Sequence, residues 1–276
     1  MVYLSRKLRF SAMHSYRIQH WTEEKNQQVF GLCSNPNGHG HDYQLEVMVK
    51  GDWKDRTGIV VNTTDIKQVV GSIVEEELDG KFLNKENIYF REKIPTTENL
   101  LIFLWNKINR VLQDCELHRL RLHENSTLYS EKGEGDMVSL TRKYHFSAAH
   151  RLHSDKLTDS ENKQLFGKCN NVYGHGHNYY LEVSVQGIPD PVTGMVTDIA
   201  VLDEIVESVV LKKFDHKHLN LDTTEFDGLN PTSEVMTQVI YQMLSPYISN
   251  LSKIGLWETE NNYFEYVAPT GGEAHV

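Results

Sequence analysis

The sequence is short of several things, and each shortage excludes a class of protein. No run of 18 or more apolar residues occurs in its 276 positions, so no segment has the hydropathy of a transmembrane helix. The opening stretch, Met1 to Lys7, lacks the apolar core of a signal peptide and reads as the start of a strand. Cysteine is scarce: Cys33, Cys115 and Cys169 are too few, and odd in number, for a disulfide framework. That points to a reducing, cytoplasmic setting. Positive charge is also in deficit, with 28 Lys and Arg against 38 Asp and Glu and a net charge of −10. A nucleic-acid surface needs clustered cations to displace counterions, so no nucleic-acid partner is expected, nor a membrane one. A phosphorylated small molecule stays open, because one pocket can be basic on an acidic protein.

What is present is a repeat. Phe10-Ser11-Ala12-Met13-His14 returns as Phe146-Ser147-Ala148-Ala149-His150, a shift of 150 − 14 = 136. The same shift carries Phe30-Gly31-Leu32-Cys33 onto Phe166-Gly167-Lys168-Cys169 and Gly38-His39-Gly40-His41 onto Gly174-His175-Gly176-His177. It also carries Pro95-Thr96-Thr97-Glu98 onto Pro231-Thr232-Ser233-Glu234. Matches held in one register over such a span mark a tandem duplication. The Gly-rich charged stretch Glu131-Lys132-Gly133-Glu134-Gly135-Asp136 stands where a linker belongs. The expected units are residues 1–130 and 137–268, and Ala268 to Gly272 reads as a loose tail.

Each copy has one order of elements. Leu8, Phe10 and Ala12 alternate on an opening strand; Tyr43, Leu45, Val47 and Val49 alternate on a second, between His39 and Lys50. Ile66, Val69, Val70, Ile73 and Val74 share one helical face. A second helix starts after Pro95 with Thr96 or Thr97 as N-cap, and buries Leu101, Leu104, Trp105, Ile108 and Leu112. Closing strands run through Leu120-Arg121-Leu122 and Thr127-Leu128-Tyr129. The unit is β-β-α-α-β-β, an antiparallel sheet with helices on one face, hence α+β.

Strand geometry makes His39-Gly40-His41 informative. With a side-chain period of two, both imidazoles point to one face. His14 has the parity to join them from the opening strand. Three neutral imidazoles make a zinc set with one position left for water or substrate. The second copy offers His150, His175 and His177. A lone strand histidine is usually only solvated; a triplet met twice argues for metal. Cys33 and Cys169 each precede the first histidine of the pair by six residues. Such a cysteine can be a fourth ligand, a base or nucleophile beside an open site, or a small buried apolar residue. Spacing alone leaves all three open. Cys115 has no counterpart and reads as structural.

The stretch from Phe166-Gly167-Lys168-Cys169-Asn170-Asn171 to Gly174-His175-Gly176-His177-Asn178-Tyr179 resembles the 6-pyruvoyl-tetrahydropterin synthase signature. Phe146 to His150, Asp190 to Val196, Asp215-His216-Lys217 and Trp257-Glu258-Thr259 match too, in the family's order. In the related 6-carboxytetrahydropterin synthases the cysteine usually lies closer to the histidines, so the chain resembles the pyruvoyl branch. The resemblance implies two T-fold units and conversion of 7,8-dihydroneopterin triphosphate to 6-pyruvoyl-tetrahydropterin with loss of triphosphate, a zinc-dependent carbon–oxygen lyase reaction. It implies zinc on His150, His175 and His177, proton transfer by Cys169, and Asp215 orienting His216, whose imidazolium favours the Cys169 thiolate. It implies Glu258 as pterin anchor, with Thr232 and Ser233 adding polar contacts. Close relatives with the same zinc site make 6-carboxytetrahydropterin or cleave the pterin side chain, and a pterin- or zinc-binding module without turnover is a third reading.

The first half departs in one place. Asp215-His216-Lys217 falls on Asp79-Gly80-Lys81, and glycine cannot relay a proton. His14, His39, His41 and Cys33 remain, and Glu124 stands in for the anchor. The first half is therefore expected to bind metal with an incomplete relay. The resemblance further implies a homo-oligomer in which the Asp-His pair reaches its site from a neighbouring unit. Like halves neighbouring each other is the favoured arrangement, since it unites Cys169 with His216; with unlike halves alternating, Asp215 and His216 would complete the Cys33 site and the Cys169 site would lack its histidine.

Overall fold

The computed structural model describes residues 1–267; the expected tail from Ala268 lies outside them. The chain forms two compact units: Met1–Thr141 with Gln186–Ala200, and Arg142–Val185 with the residues from Val201 onward.

In the first unit, β1 (Val2–His14) is followed by α1 (Glu23–Phe30) and β2 (His39–Gly51). Two further helices, α2 (Thr63–Glu77) and α3 (Thr97–Val111), precede β3 (Glu116–Asn125) and β4 (Leu128–Lys132). Every pairing is antiparallel, in the order β1-β2-β3-β4. Tyr43, Leu45, Val47 and Val49 lie on one side of β2 and are fully buried. Against them pack Ile66, Val70 and Val74 of α2 and Leu101, Leu104 and Ile108 of α3. Val69, Ile73, Trp105 and Leu112, expected on the same faces, sit half-buried at the helix flanks. The α3 N-terminus forms at Thr96, whose side chain accepts the Asn99 N–H at 3.2 Å.

In the second unit, β5 (Val138–His150), α4 (Asp159–Phe166) and β6 (His175–Gly187) lead to α5 (Ile199–Val206), which runs on through a π-helical turn at Glu207–Leu211. Then come α6 (Ser233–Leu244), β7 (Leu251–Thr259) and β8 (Asn262–Val267). The strand order is β5-β6-β7-β8, with β6–β7 and β7–β8 antiparallel. Tyr179, Leu181, Val183 and Val185 are its buried row. The class is α+β, as the hydrophobic periods imply.

The expected order lacks α1 and α4, and Thr127 falls in a turn rather than on a strand. Both helices are eight residues long and mostly exposed, so no apolar face announces them. They are held by polar contacts. Asn26 accepts the Ile18 N–H at 2.8 Å and donates to the Ile18 carbonyl at 3.1 Å; Asn162 does the same to Ser154 at 2.8 and 2.9 Å. A buried amide with all its partners is a specific brace. Each helix runs directly into a short 3-10 turn that carries Cys33 or Cys169. Among the described residues no helix is long and apolar enough to cross a membrane.

Leu104→Ala is expected to destabilise the chain by about 2–5 kcal/mol, as for other fully buried leucines; urea unfolding followed by circular dichroism measures it.

Candidate functional site

Register assembles the first histidine group. His14 at the end of β1 pairs with His39 at the start of β2, and Ala12 pairs with His41. His14 Nε2 lies 3.0 Å from His39 Nε2, and in the second copy His150 Nε2 lies 3.2 Å from His175 Nε2. In each group the three ligating atoms lie within 4.8 Å of one another, and no cysteine belongs to either group. The fourth-ligand reading of Cys33 and Cys169 is therefore set aside.

The groups fit a zinc ion. The tautomer is set from behind: His14 Nδ1 donates to the Pro95 carbonyl at 3.1 Å, and His150 Nδ1 to that of Pro231 at 2.7 Å. Each Nε2 is left as a lone pair aimed at its neighbour. Burial holds the protonated forms down, with His14 at about 3 and His41 and His150 at about 4. Two facing lone pairs at that separation repel unless a cation stands between them, and the edge of a tetrahedral zinc site is ~3.3 Å. His41 Nε2 and His177 Nε2 are buried without a hydrogen-bond partner, as ligands awaiting a metal are.

The anchors sit beside the groups. Glu258 Oε1 is 3.8 Å from His150 Nε2 and 3.9 Å from His177 Nε2, and accepts from Ser233 Oγ at 2.9 Å. Thr232 caps α6 next to it. Glu124 Oε1 is 3.7 Å from His41 Nε2, but its Oε2 accepts from Tyr16 Oη at 3.3 Å. Leu152 occupies the Tyr16 position in the second copy, and leucine donates nothing. The first anchor is thus buried and engaged by Tyr16, whereas Glu258 is half-buried and bonded to Ser233. Tyr16 was not singled out from sequence, because an aromatic after a strand reads as core.

Asp215 and His216 form a built pair. Asp215 Oδ1 accepts the Ser147 N–H at 2.8 Å and Oδ2 meets His216 Nδ1 at 2.8 Å. The Ser147 bond is the main cause that lowers the Asp215 carboxyl below its usual range. His216 is left-handed, at φ 58°, and its ring is 81% exposed. Among the described residues no hydrogen bond or ion pair joins it to Cys169. The first copy keeps the same loop: Ser11 N–H reaches Asp79 Oδ1 at 2.9 Å, and Gly80 has φ 71°. Glycine takes that conformation without strain. A cleft of about 490 Å³ lies between His177, Asn178, His216 and His218; its counterpart beside Gly80 is about 250 Å³. His218, aligned with Phe82, escaped sequence reading; its buried Nδ1 has no partner.

Glu98 is the other surprise. An acidic residue in a first helical turn reads as a solvated complement to the helix dipole. Instead it is 1% exposed, its Oε1 accepting the Val196 N–H at 3.0 Å. Burial pushes its carboxyl above the usual range.

A family model described as 6-pyruvoyl tetrahydropterin synthase matches residues 3–134 and again 139–269. A Drosophila melanogaster protein called 6-pyruvoyl tetrahydrobiopterin synthase is 43% identical over 135 residues, 47% of this chain and 79% of that protein. A Caenorhabditis elegans protein called putative 6-pyruvoyl tetrahydrobiopterin synthase is 45% identical over 133 residues, 47% of this chain and 94% of that protein. A solved Caenorhabditis elegans 6-pyruvoyl tetrahydropterin synthase structure aligns at TM-score 0.47 and 43% identity, covering 48% of this chain and 96% of that one.

Two outcomes follow. His216→Gly relieves a left-handed residue and gives up only an exposed ion pair, so unfolding free energy is expected to rise by about 1 kcal/mol; an equal loss in urea titration would mean the side chain holds the loop. For Glu98 the folded pKa exceeds the unfolded 4.5, so its contribution is full below pH 4.5 and is lost as pH rises through the folded value. Glu98→Gln is therefore expected to gain stability relative to the parent between pH 4.5 and 7, and a flat difference across that range would contradict it.

Proposed function

The chain belongs to the 6-pyruvoyl tetrahydropterin synthase family, with one copy of the family's unit in each half, and we propose that it converts 7,8-dihydroneopterin triphosphate to 6-pyruvoyl-tetrahydropterin with release of triphosphate. The observation that carries this reading is the setting of Glu258, a carboxylate steadied by Ser233 within 4 Å of two histidines of a metal-fitting group. A carboxylate beside a metal is what recognition of a pterin's amino group and ring N–H requires next to side-chain hydroxyls.

His150, His175 and His177 would hold zinc, with His14, His39 and His41 as a second set. Bound there, zinc supplies Lewis acidity to the side-chain hydroxyls and eases loss of the carbon-bound protons. Glu258 orients the ring, and Thr232 and Ser233 border it. Cys169 accepts and returns the carbon-bound protons, helped by an Asp215–His216 pair. The exposed His216 ring suits a pair that serves a site outside its own fold. The first half retains a metal set but lacks the relay histidine and has its anchor engaged by Tyr16. We assign turnover to the second half and place the reaction in the cytoplasm, in keeping with three free cysteines.

Purified protein with dihydroneopterin triphosphate, followed by mass spectrometry of products, tests the reading. Triphosphate and 6-pyruvoyl-tetrahydropterin are expected. Cys169→Ala should lower kcat by at least 10²-fold, the usual scale of acid–base catalysis, with Cys33→Ala near parental. Appearance of 6-carboxytetrahydropterin or a cleaved side chain would replace the reaction, and loss with Cys33→Ala alone would move it to the first half.

A further inference from the structure

The two halves fill one matching position with different side chains, Tyr16 in the first and Leu152 in the second. Both lie two residues beyond the opening-strand histidine. The Tyr16 N–H donates to the Cys33 carbonyl at 2.8 Å, and the Leu152 N–H to that of Cys169 at 2.9 Å. The 136-residue shift relates both ends of these bonds, so the backbone is held alike and the side chain is what differs. Tyr16 turns inward. It is 6% exposed, its ring lies edge-on to His14 at 4.7 Å, and its hydroxyl donates to Glu124 Oε2 at 3.3 Å. Leu152 is half-buried, and its side chain carries no donor.

A carboxylate recognises a pterin edge with both oxygens, one for the amino group and one for the ring N–H. Tyr16 sets a phenol against one of those oxygens in Glu124. The hydroxyls bordering the anchor differ as well. Ser233 Oγ donates to Glu258, whereas Thr97, at the matching position, donates to Glu98 Oε2 at 3.1 Å and bonds Ser130 Oγ at 2.6 Å. Thr96 donates to the Gly194 carbonyl at 2.7 Å. The tyrosine is also fixed in place. It packs with Ile18, Phe30, Ile94 and Met195, so swinging it aside would open an apolar gap. It is an occupant, not a lid.

We propose that Tyr16 is a built-in ligand of the Glu124 anchor that keeps pterins out of the first half, and that leucine at the matching position admits them to the second. A phenol suits this role, because a flat aromatic ring ending in a donor offers a carboxylate what a pterin edge offers. The histidine groups are untouched by the exchange. The chain then has two metal-fitting groups and one pterin site, and the side chain at one position decides which half holds it. The pterin specificity rests on the reading of Glu258 proposed above; the occupation of Glu124 does not.

Exchanging the two side chains tests this, with neopterin as the probe and equilibrium dialysis of zinc-loaded protein as the measurement. The parent is expected to bind one neopterin per chain, lost in Glu258→Gln. Tyr16→Leu should bind two, the second lost again when Glu124→Gln is added. Leu152→Tyr should weaken the parental site by at least ~10-fold, the scale of one hydrogen bond to a charged group, with zinc content and circular dichroism unchanged. A second neopterin in the parent that Glu124→Gln removes overturns the proposal, as does a folded Tyr16→Leu that binds no more than the parent. Should Tyr16→Leu fail to fold, Leu152→Tyr decides: undiminished binding overturns the proposal, and loss with zinc retained supports it. A parent that binds none while Tyr16→Leu binds one keeps Tyr16 as the occupant and removes the Glu258 reading.

Discussion

The candidate sites depend on strand register above all else. His14 meets His39 because β1 and β2 pair without a slip from Val2↔Gly51 to the end of the ladder. A shift of one residue would send His39 and His41 to the opposite face together with Tyr43, Leu45, Val47 and Val49. The buried row is what makes that shift costly, so the core and the metal group are set by one constraint. The helix layer joins in through Pro95, whose carbonyl fixes the His14 tautomer just ahead of the α3 cap. Sheet, helix start and ligand set then form one unit, and it occurs twice.

The two copies agree in the residues that frame the histidine groups and differ at a few positions around them. Both keep the histidines, the proline carbonyl, the Thr-capped helices and the buried asparagine. They part at Gly80 and His216, at Tyr16 and Leu152, and at Phe82 and His218. Glycine relaxes the left-handed loop that histidine strains, and a tyrosine hydroxyl engages the Glu124 carboxylate where the matching Glu258 has no tyrosine. Each exchange trades a reactive group for a more settled structure. A residue held in an unfavourable conformation with its ring in solvent contributes little to stability.

The copies also differ in what surrounds them. The Asp190–Val196 turn brings the Val196 N–H to Glu98, whose other carboxylate oxygen accepts from Thr97 Oγ1 at 3.1 Å. Glu234, with no such donor, stays in solvent. Nearly identical local sequences thus reach different burial through their neighbours.

Much of this was legible in the residues. Period-two and helical spacing specify the strands and long helices, because burial of one face imposes them wherever a core forms. The 136-residue shift and the His-Gly-His parity specify two histidine groups that could hold a metal, and Gly80 stands in the first half where the second has His216. Other features are not local. The helices α1 and α4 are held by single buried amides rather than an apolar face, so no periodicity reveals them. The Tyr16–Glu124 contact spans 108 positions and the Glu98–Val196 contact 98. A sequence states which groups exist and which face they share; which carboxylate finds a donor is decided only when distant segments meet, because hydrogen bonding and burial depend on distance in space.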